Sequence, residues 1–419
     1  VILLLDTLRL DYSSGLDSLL NLGFIKYENA VAPSPWTLPS HVSMFTGMLP
    51  SMHEVHEDKN TTASNISDLA TRKLKHLNLG VVGELRSVGY TDYGLSANPF
   101  VTRAYSFDFQ NQWFYDFGFK YLFDNEDFNY WFKEKSERRV NISLPFQLLK
   151  TRKLRLAKHV VINKNRLVNK YKQMISEKYP LEKGSKNFLN LIKKLEFKEP
   201  FFLFVNLMES HGPYFWNESS LDALYASLLD KRDALVRWLE NFPVHKRYMY
   251  HSELAISRAA GIVHLLKKYL SNSLIVVTSD HGHLLGENSL YGHGYYLKDE
   301  TLRVPFYVKY PLGLRELRTE GGFISLSHVP LIIRYALYGD NVRLDSKYAF
   351  AESFGPQEDL FKLAKNPTEK KRLSDRYSHR VKVYNSSGAA VYNMDTELIE
   401  EVKGNLDKKK IQEVVSWIQ

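Results

Sequence analysis

The 419-residue chain is 44% hydrophobic and 25% charged, an ordinary folded composition that excludes a disordered or fibrous protein and allows one large core plus a smaller unit. The absence of cysteine excludes disulfides, thiolate nucleophiles and Cys-ligated zinc, so a metal would have to rest on oxygen and imidazole donors. A formal net charge of +9 favours anionic partners without implying nucleic acid, and no apolar run reaches the roughly 20 residues that cross a bilayer.

In chain order, VILLLDTLRLD starts with five aliphatic residues, the pattern of a buried parallel strand, and runs into Asp6. Polar groups just past the carboxyl end of a parallel strand are where α/β sheets place their ligands. PSPWTLPSHVSMFTG follows: two prolines around a Trp-Thr pair, then an apolar helical run beginning near Ser40. Thr37 or Ser40 could simply cap that helix, and the stretch alone does not separate capping from chemistry. LATRKLKHLNLGVVGELRSVGYTDYGLSANPF reads as a helix stopped near Gly89 and then a short strand. FFLFVNLMESHGPYF and SLIVVTSDHGHLLGEN each repeat the strand-to-polar-turn pattern, with helical spacing in YHSELAISRAAGIVHLLKKYL between them. RVPFYVKYP is a further strand with Pro at both ends.

This alternation predicts an α/β fold, a mostly parallel central sheet with helices on both faces. Residues 1–345 are expected to form that main domain, interrupted at about 100–200 by an insertion rich first in aromatics and then in Lys and Arg. The insertion is either a solvated helical surface or a basic flap toward an anionic substrate or lipid headgroup. Residues 346–419 are expected to form a small α+β unit. Within it, RVKVYNSSGAAVYNMDTELIEEVKG reads as two strands joined across Ser-Ser-Gly and LDKKKIQEVVSWIQ as a closing amphipathic helix.

Asp6, Asp280 and His281 all fall at strand ends that converge on one edge of such a sheet. A divalent metal that activates an alcohol needs hard oxygen donors and an imidazole held on separate rigid strand ends. Each residue has an individual alternative: Asp6 as a helix cap, Asp280-His281-Gly282 as a turn.

With these residues in view, the chain resembles the sulfatase and alkaline-phosphatase superfamily of metal-dependent hydrolases. LLLDTLRLDY is similar to that family's opening strand and acidic turn, SPWTLPSHVSMFTGMLPSMHEVHE to its nucleophile segment, and NLMESHGPY to its middle histidine turn. VVTSDHGHLLGENSLYGHGYYLKDETLRVPFYV is similar to its second metal turn, substrate histidine and following strand. The resemblance implies metal ligands at Asp6, Asp280 and His281, with the Thr37 oxygen as a further ligand and the attacking atom. It places His211 and His293 against the substrate's anionic oxygens or leaving group, and Arg9 and His41 beside the acidic turn and the nucleophile as further substrate contacts. One metal is expected, manganese or zinc ahead of calcium because His281 stands where many members carry Asn and Thr7 where many carry a second Asp. A second metal is left open by His53, His56 and His283.

The nucleophile position departs from sulfatases in the strict sense, which oxidise a Cys or Ser there to a formylglycine aldehyde. A threonine's secondary alcohol would give a ketone, and His41 stands where those enzymes carry arginine. The resemblance therefore implies a phosphate- or sulfate-ester hydrolase working through a covalent Thr37 intermediate, phosphoester favoured. Its rivals are a phosphoglycerol-transferase-like phosphotransferase, a sulfatase, and a catalytically degenerate anion- or partner-binding module. The expected substrate is an anionic small-molecule, glycan or lipid-headgroup ester. Nucleic acid is not expected, contact with a membrane surface through the insertion is open, and so is oligomeric state. The expected location is cytoplasmic or membrane-peripheral, with a removed upstream signal or anchor left open by the start at Val1.

Overall fold

The computed structural model describes residues 1–62, 65–117, 120–127, 154, 158, 180–212, 214, 244–319, 322–339, 342, 344, 347–357 and 366–418. Most of the basic insertion lies outside the described residues. The strands of the main sheet are β1 (Ile2–Leu5), β2 (Phe24–Lys26), β3 (Thr91–Ser96), β4 (Asn111–Asp116), β5 (Tyr121–Phe123), β6 (Phe201–Leu207), β7 (Ile275–Thr278) and β8 (Phe306–Lys309). They lie in the order β2-β8-β7-β1-β6-β3-β4-β5. The run from β7 to β4 is parallel, while β8, β2 and β5 join antiparallel at the flanks. The strand RVPFYVKYP is thus an antiparallel neighbour of β7, at one flank of a sheet whose five central strands are parallel.

Alternation along β1 sends its residues to two cores. Ile2 and Leu4 pack on one face with Leu38, Val42 and Phe45 of helix α1 (Thr37–Thr46). Leu3 and Leu5 pack on the other with Ala255, Ala259 and Val263. A sheet covered on both faces needs apolar residues at every position of its central strands, which is why β1 reads as an unbroken aliphatic run. At the carboxyl edge, Leu4 is in register with Asn206 on one side and Thr278 on the other, so the residues just past these strands arrive together.

The long helical stretch before Gly89 is two helices, not one: α2 (Ile66–His76) and α3 (Val81–Ser87). They are broken where Asn78, Leu79 and Gly80 take positive φ. The break lets the backbone pass close under α1, since a Cβ on Gly80 would lie 2.1 Å from the Phe45 carbonyl oxygen. Farther on are α4 (Ser185–Ile192), the 22-residue α5 (Val244–Leu265), the single turn α6 (Asp299–Leu302) and α7 (Val329–Tyr338).

The tail carries four strands where its sequence pattern indicates two. β10 (Arg380–Asn385), β11 (Gly388–Asn393) and β12 (Leu398–Gly404) follow β9 (Ala349–Ser353) in one antiparallel sheet. MDTELIEEVKG pairs as β12 although its residues are largely exposed and charged, so apolar alternation does not betray it. Helix α8 (Lys408–Val415) closes one face through Ile411, Val414 and Val415 against Val381, Val383 and Tyr392. Asp299 of α6 ties the two sheets together, accepting from Lys382 Nζ at 2.7 Å, Tyr384 OH at 2.8 Å and Lys403 Nζ at 2.9 Å. Among the described residues no helix is long and apolar enough to cross a membrane.

Candidate active site

Three strand ends and one helix start meet at the carboxyl edge of the sheet. Asp6 leaves β1 and is completely buried, its backbone N–H still donating to Leu207 O at 2.9 Å. Thr7 turns the chain sharply with φ 61°, a left-handed conformation that a β-branched residue rarely adopts. Its N–H donates to Asp280 Oδ1 (3.1 Å), its hydroxyl to Ser210 O (2.8 Å), and its carbonyl accepts from Tyr248 OH (2.6 Å). Strain of this kind persists where surrounding contacts over-determine it. Here they lock the Asp6 turn to the Asp280 turn and to the His211 turn.

Thr37 is the first residue of α1 and 3% exposed. The helix starts three residues earlier than its apolar run, and no side chain caps it: Trp36 occupies the N-cap position, so Thr37 is not spent on capping. Ser40 Oγ donates to Asp280 O at 2.7 Å, which fixes the start of α1 against the loop after β7. Thr37 Oγ1 sits 3.3 Å from His281 Nε2, and Asn98 Nδ2 donates to it at 3.3 Å. His281 donates from Nδ1 to Gly282 O at 2.8 Å, which leaves a lone pair on Nε2 facing the threonine hydroxyl.

Asp6, Asp280 and His281 offer ligand atoms within 4.8 Å of one another. Asp6 Oδ2 accepts from Asn98 (2.8 Å) and Asn206 (3.1 Å), and Asp280 Oδ1 from the Thr7 and His281 N–H groups. The remaining oxygens, Asp6 Oδ1 and Asp280 Oδ2, are buried without a hydrogen-bond partner among the described residues. Burial first, then the neighbouring Asp6 charge, pushes the Asp280 carboxyl well above its ordinary range. Burial pushes His281 down to about 3 and His41 down to about 4, so neither imidazole supplies a counter-charge near neutral pH. Two enclosed carboxylates with one unpaired oxygen each, a neutral imidazole lone pair and a hydroxyl are a donor set that fits a divalent cation.

His211 and His293 also reach this edge. His293 stacks on His281 with ring centroids 4.6 Å apart and meets His211 edge-on at 5.2 Å. His283 Nδ1 lies 2.9 Å from His293 Nδ1, which requires a proton on one and a lone pair on the other. Thr37, Asn98, His211 and His293 share the lining of one cavity of about 210 Å³, walled by Trp36, Phe100 and other apolar side chains.

Two of the expected substrate contacts stand elsewhere. The Arg9 guanidinium binds Asp11 (2.7 and 2.9 Å), Glu287 (2.5 Å) and His283 O (3.0 Å), so its donors staple the loop after β7 rather than face the cavity. His41 is fully buried beneath Thr37, with Nδ1 at 2.8 Å from Thr37 O and its ring edge-on to Phe107 and Phe204. Four residues past Thr37, His41 lies one turn along the same face of α1, where its Nδ1 is also 3.5 Å from Asp280 Oδ2, so it backs the carboxylates from below instead of facing the cavity. Of the histidines left open for a second metal, His53 bonds Ser43 Oγ, His56 stacks on Phe354, and only His283 reaches the His293 side of the site. Asn98 and Asn206 were not singled out from sequence. Asn98 lies just past β3 in SANPF and Asn206 near the end of β6, positions the strand-end rule would have flagged.

The sulfatase family model matches residues 15–331. No curated protein matches the chain in sequence. Among solved structures, a phosphonate monoester hydrolase from Silicibacter pomeroyi is 13% identical with a TM-score of 0.56, covering 94% of this chain and 86% of its own. A 2-O GAG sulfatase is 10% identical with a TM-score of 0.56, over 99% and 89%. A protein of glycosaminoglycan metabolism from Bacteroides thetaiotaomicron is 13% identical with a TM-score of 0.53, over 100% and 93%. At such identities the structural likeness speaks for the fold, and the family match extends it to the sequence. The chain belongs to the sulfatase family, within the sulfatase and alkaline-phosphatase superfamily of ester-hydrolysing enzymes.

Proposed function

We propose that this chain is a metal-dependent phosphoesterase in which Thr37 is the covalent nucleophile. The observation that carries the reading is the placement of Thr37 Oγ1, 3.3 Å from His281 Nε2 beside the unpaired oxygens of Asp6 and Asp280. Asp6, Asp280, His281 and Thr37 would hold the ion, which when bound lowers the pKa of a hydroxyl and neutralises developing negative charge. With two carboxylates and an imidazole, the set suits manganese or zinc better than calcium.

The residues divide the remaining work. Asn98 orients the Thr37 oxygen and Asp6 at once, so attacking atom and ligand keep one geometry. Thr37 gives up its hydroxyl proton to solvent, its Oγ1 bonds to phosphorus, and the bond to the leaving oxygen breaks, that oxygen taking a proton from His211 or His293 as the alcohol departs. Water then cleaves the phosphothreonine, releasing phosphate and restoring the hydroxyl. His283 and His293 are suited to passing a proton, because their facing Nδ1 atoms, 2.9 Å apart, share one. Trp36 and Thr37 at the start of α1 line the cavity, and a helix N-terminus favours negative charge nearby.

A threonine cannot become the aldehyde that formylglycine sulfatases use, which supports phosphate over sulfate. The family assignment keeps sulfate esters as the second reading, with direct attack by Thr37. The substrate is read as an anionic ester, and an alcohol could replace water as acceptor. Metal analysis followed by a panel of 4-nitrophenyl phosphate, bis(4-nitrophenyl) phosphate and 4-nitrophenyl sulfate tests the proposal. Thr37→Ala should lower turnover by at least about 1,000-fold, the scale of losing an activated nucleophile. Undiminished turnover in that variant, or sulfate cleaved ahead of both phosphates, would overturn it.

A further inference from the structure

The cavity at Thr37 has a wall that the proposed chemistry does not use. Gln357, from the segment after β9, lines it together with Thr37, His211 and His293. Its amide Nε2 is buried without a hydrogen-bond partner among the described residues. The amide packs against Gly294, the residue after His293: a Cβ there would stand 2.2 Å from Gln357 Nε2. Gly294 has φ 101° and donates its N–H to Pro35 O at 2.8 Å, so Gln357 rests on the seam between the His293 loop and the nucleophile segment.

A buried donor left without a partner works against folding, and folded proteins retain few of them. Leucine would fill nearly the same volume without that burden. The other unpaired polar atoms of this edge, Asp6 Oδ1 and Asp280 Oδ2, belong to the cation set, whereas an amide N–H₂ cannot serve a cation and calls for an acceptor. The terminal torsion of a glutamine is soft, so the amide of this cavity-lining residue can turn to meet an acceptor that enters the cavity.

We propose that Gln357 is a substrate-binding residue whose amide donates to an oxygen of the bound ester. The inference rests on the ester-cleavage reading of this site and adds a contact supplied by the segment that follows β9. The acceptor is either an oxygen of the transferred anion or one of the organic group beside it. Both present the same chemistry to an amide, and they separate by experiment.

The test uses metal-loaded full-length chain, with inorganic phosphate and glycerol 1-phosphate as competitive inhibitors of 4-nitrophenyl phosphate cleavage, and thermal unfolding without either. Gln357→Leu should keep or raise the melting midpoint while weakening inhibition about tenfold, the equivalent of about 1.4 kcal/mol. Gln357→Glu should weaken it further by placing a carboxylate against the anion. Equal weakening of both inhibitors assigns the contact to the anion, and weakening of glycerol 1-phosphate alone assigns it to the organic oxygen. Unchanged inhibition constants in active Gln357→Leu, or a lowered midpoint as the only effect, overturn the inference and leave the ester reading standing. Wild-type protein that neither cleaves the ester nor binds phosphate overturns both.

Discussion

Asn98 offers the most direct test of how the site is held together. Its Nδ2 group donates to Asp6 Oδ2 at 2.8 Å and to Thr37 Oγ1 at 3.3 Å, while its Oδ1 accepts from Phe100 N at 2.9 Å. Asn98→Ala leaves the buried Asp6 Oδ2 with Asn206 as its single donor, at 3.1 Å. A hydrogen bond to a charged partner contributes about 1.5–3 kcal/mol, and the longer bond to the threonine adds at most about 1 kcal/mol. At about 1.4 kcal/mol per decade, a loss of 1.5–3 kcal/mol predicts a fall of roughly 10- to 100-fold in kcat/KM. The fall should sit mainly in kcat, because the bond aims the attacking atom. Asn98→Asp should cost more, since it sets a third carboxylate against Asp6. The assay is steady-state cleavage of 4-nitrophenyl phosphate at saturating Mn²⁺, with the melting midpoint recorded in parallel. A change in kcat/KM below about threefold in a folded Asn98→Ala variant would refute the claim that this side chain couples ligand to nucleophile.

Removal of metal with a chelator should lower the melting midpoint, because the folded state loses a ligand held by its assembled site and the buried Asp280 then shares that site with Asp6 only by taking up a proton. Restoring Mn²⁺ at 100 times its Kd should return about 2.7 kcal/mol, and calorimetric scans showing no metal-dependent shift would count against the site. Burial raises the Glu57 carboxyl to about 8, opposed in part by the Trp36 indole N–H at 2.5 Å. Since its unfolded value is about 4.3, the folded state retains a proton that the unfolded chain has lost. Wild-type stability should therefore decline as pH rises from about 4.3 toward 8, and Glu57→Gln should flatten that slope in urea titrations. Parallel curves for the two proteins would contradict it. Burial alone would raise Asp299, but Lys382, Lys403 and Tyr384 outweigh it and hold the carboxyl below the usual range. Its contribution is thus present above about pH 3.9 and lost as pH falls through the folded value. Its side chain is 30% exposed, so Asp299→Asn should cost only about 1 kcal/mol at pH 7, a difference that shrinks in acid. A denaturation difference that grows on acidification would exclude this origin.

The amino-acid sequence alone determined the elements whose chemistry is local. The aliphatic run of β1 announces a strand buried on both faces, and the polar residues past β1 and β7 mark the ligand edge, because side-chain period and strand ends are properties of a short stretch. On that basis Asp6, Asp280 and His281 could be grouped before any coordinates, and the motifs around Thr37, His211 and His293 could be matched to a superfamily. What a short stretch cannot carry is direction. Arg9 and His41 lie beside the right motifs, but two acidic partners draw Arg9 away and His41 sits buried beneath Thr37, behind Asp280. The break between α2 and α3 depends on the approach of Phe45, 35 residues before Gly80, and the pairing of β12 on a neighbour rather than on its own apolar content. Only tertiary structure decided that Asn98 and Asn206 meet Asp6, and that Gln357 reaches the cavity of Thr37. Contacts between residues about 100 to 320 positions apart are set by the packing of the whole sheet, and no local pattern encodes them.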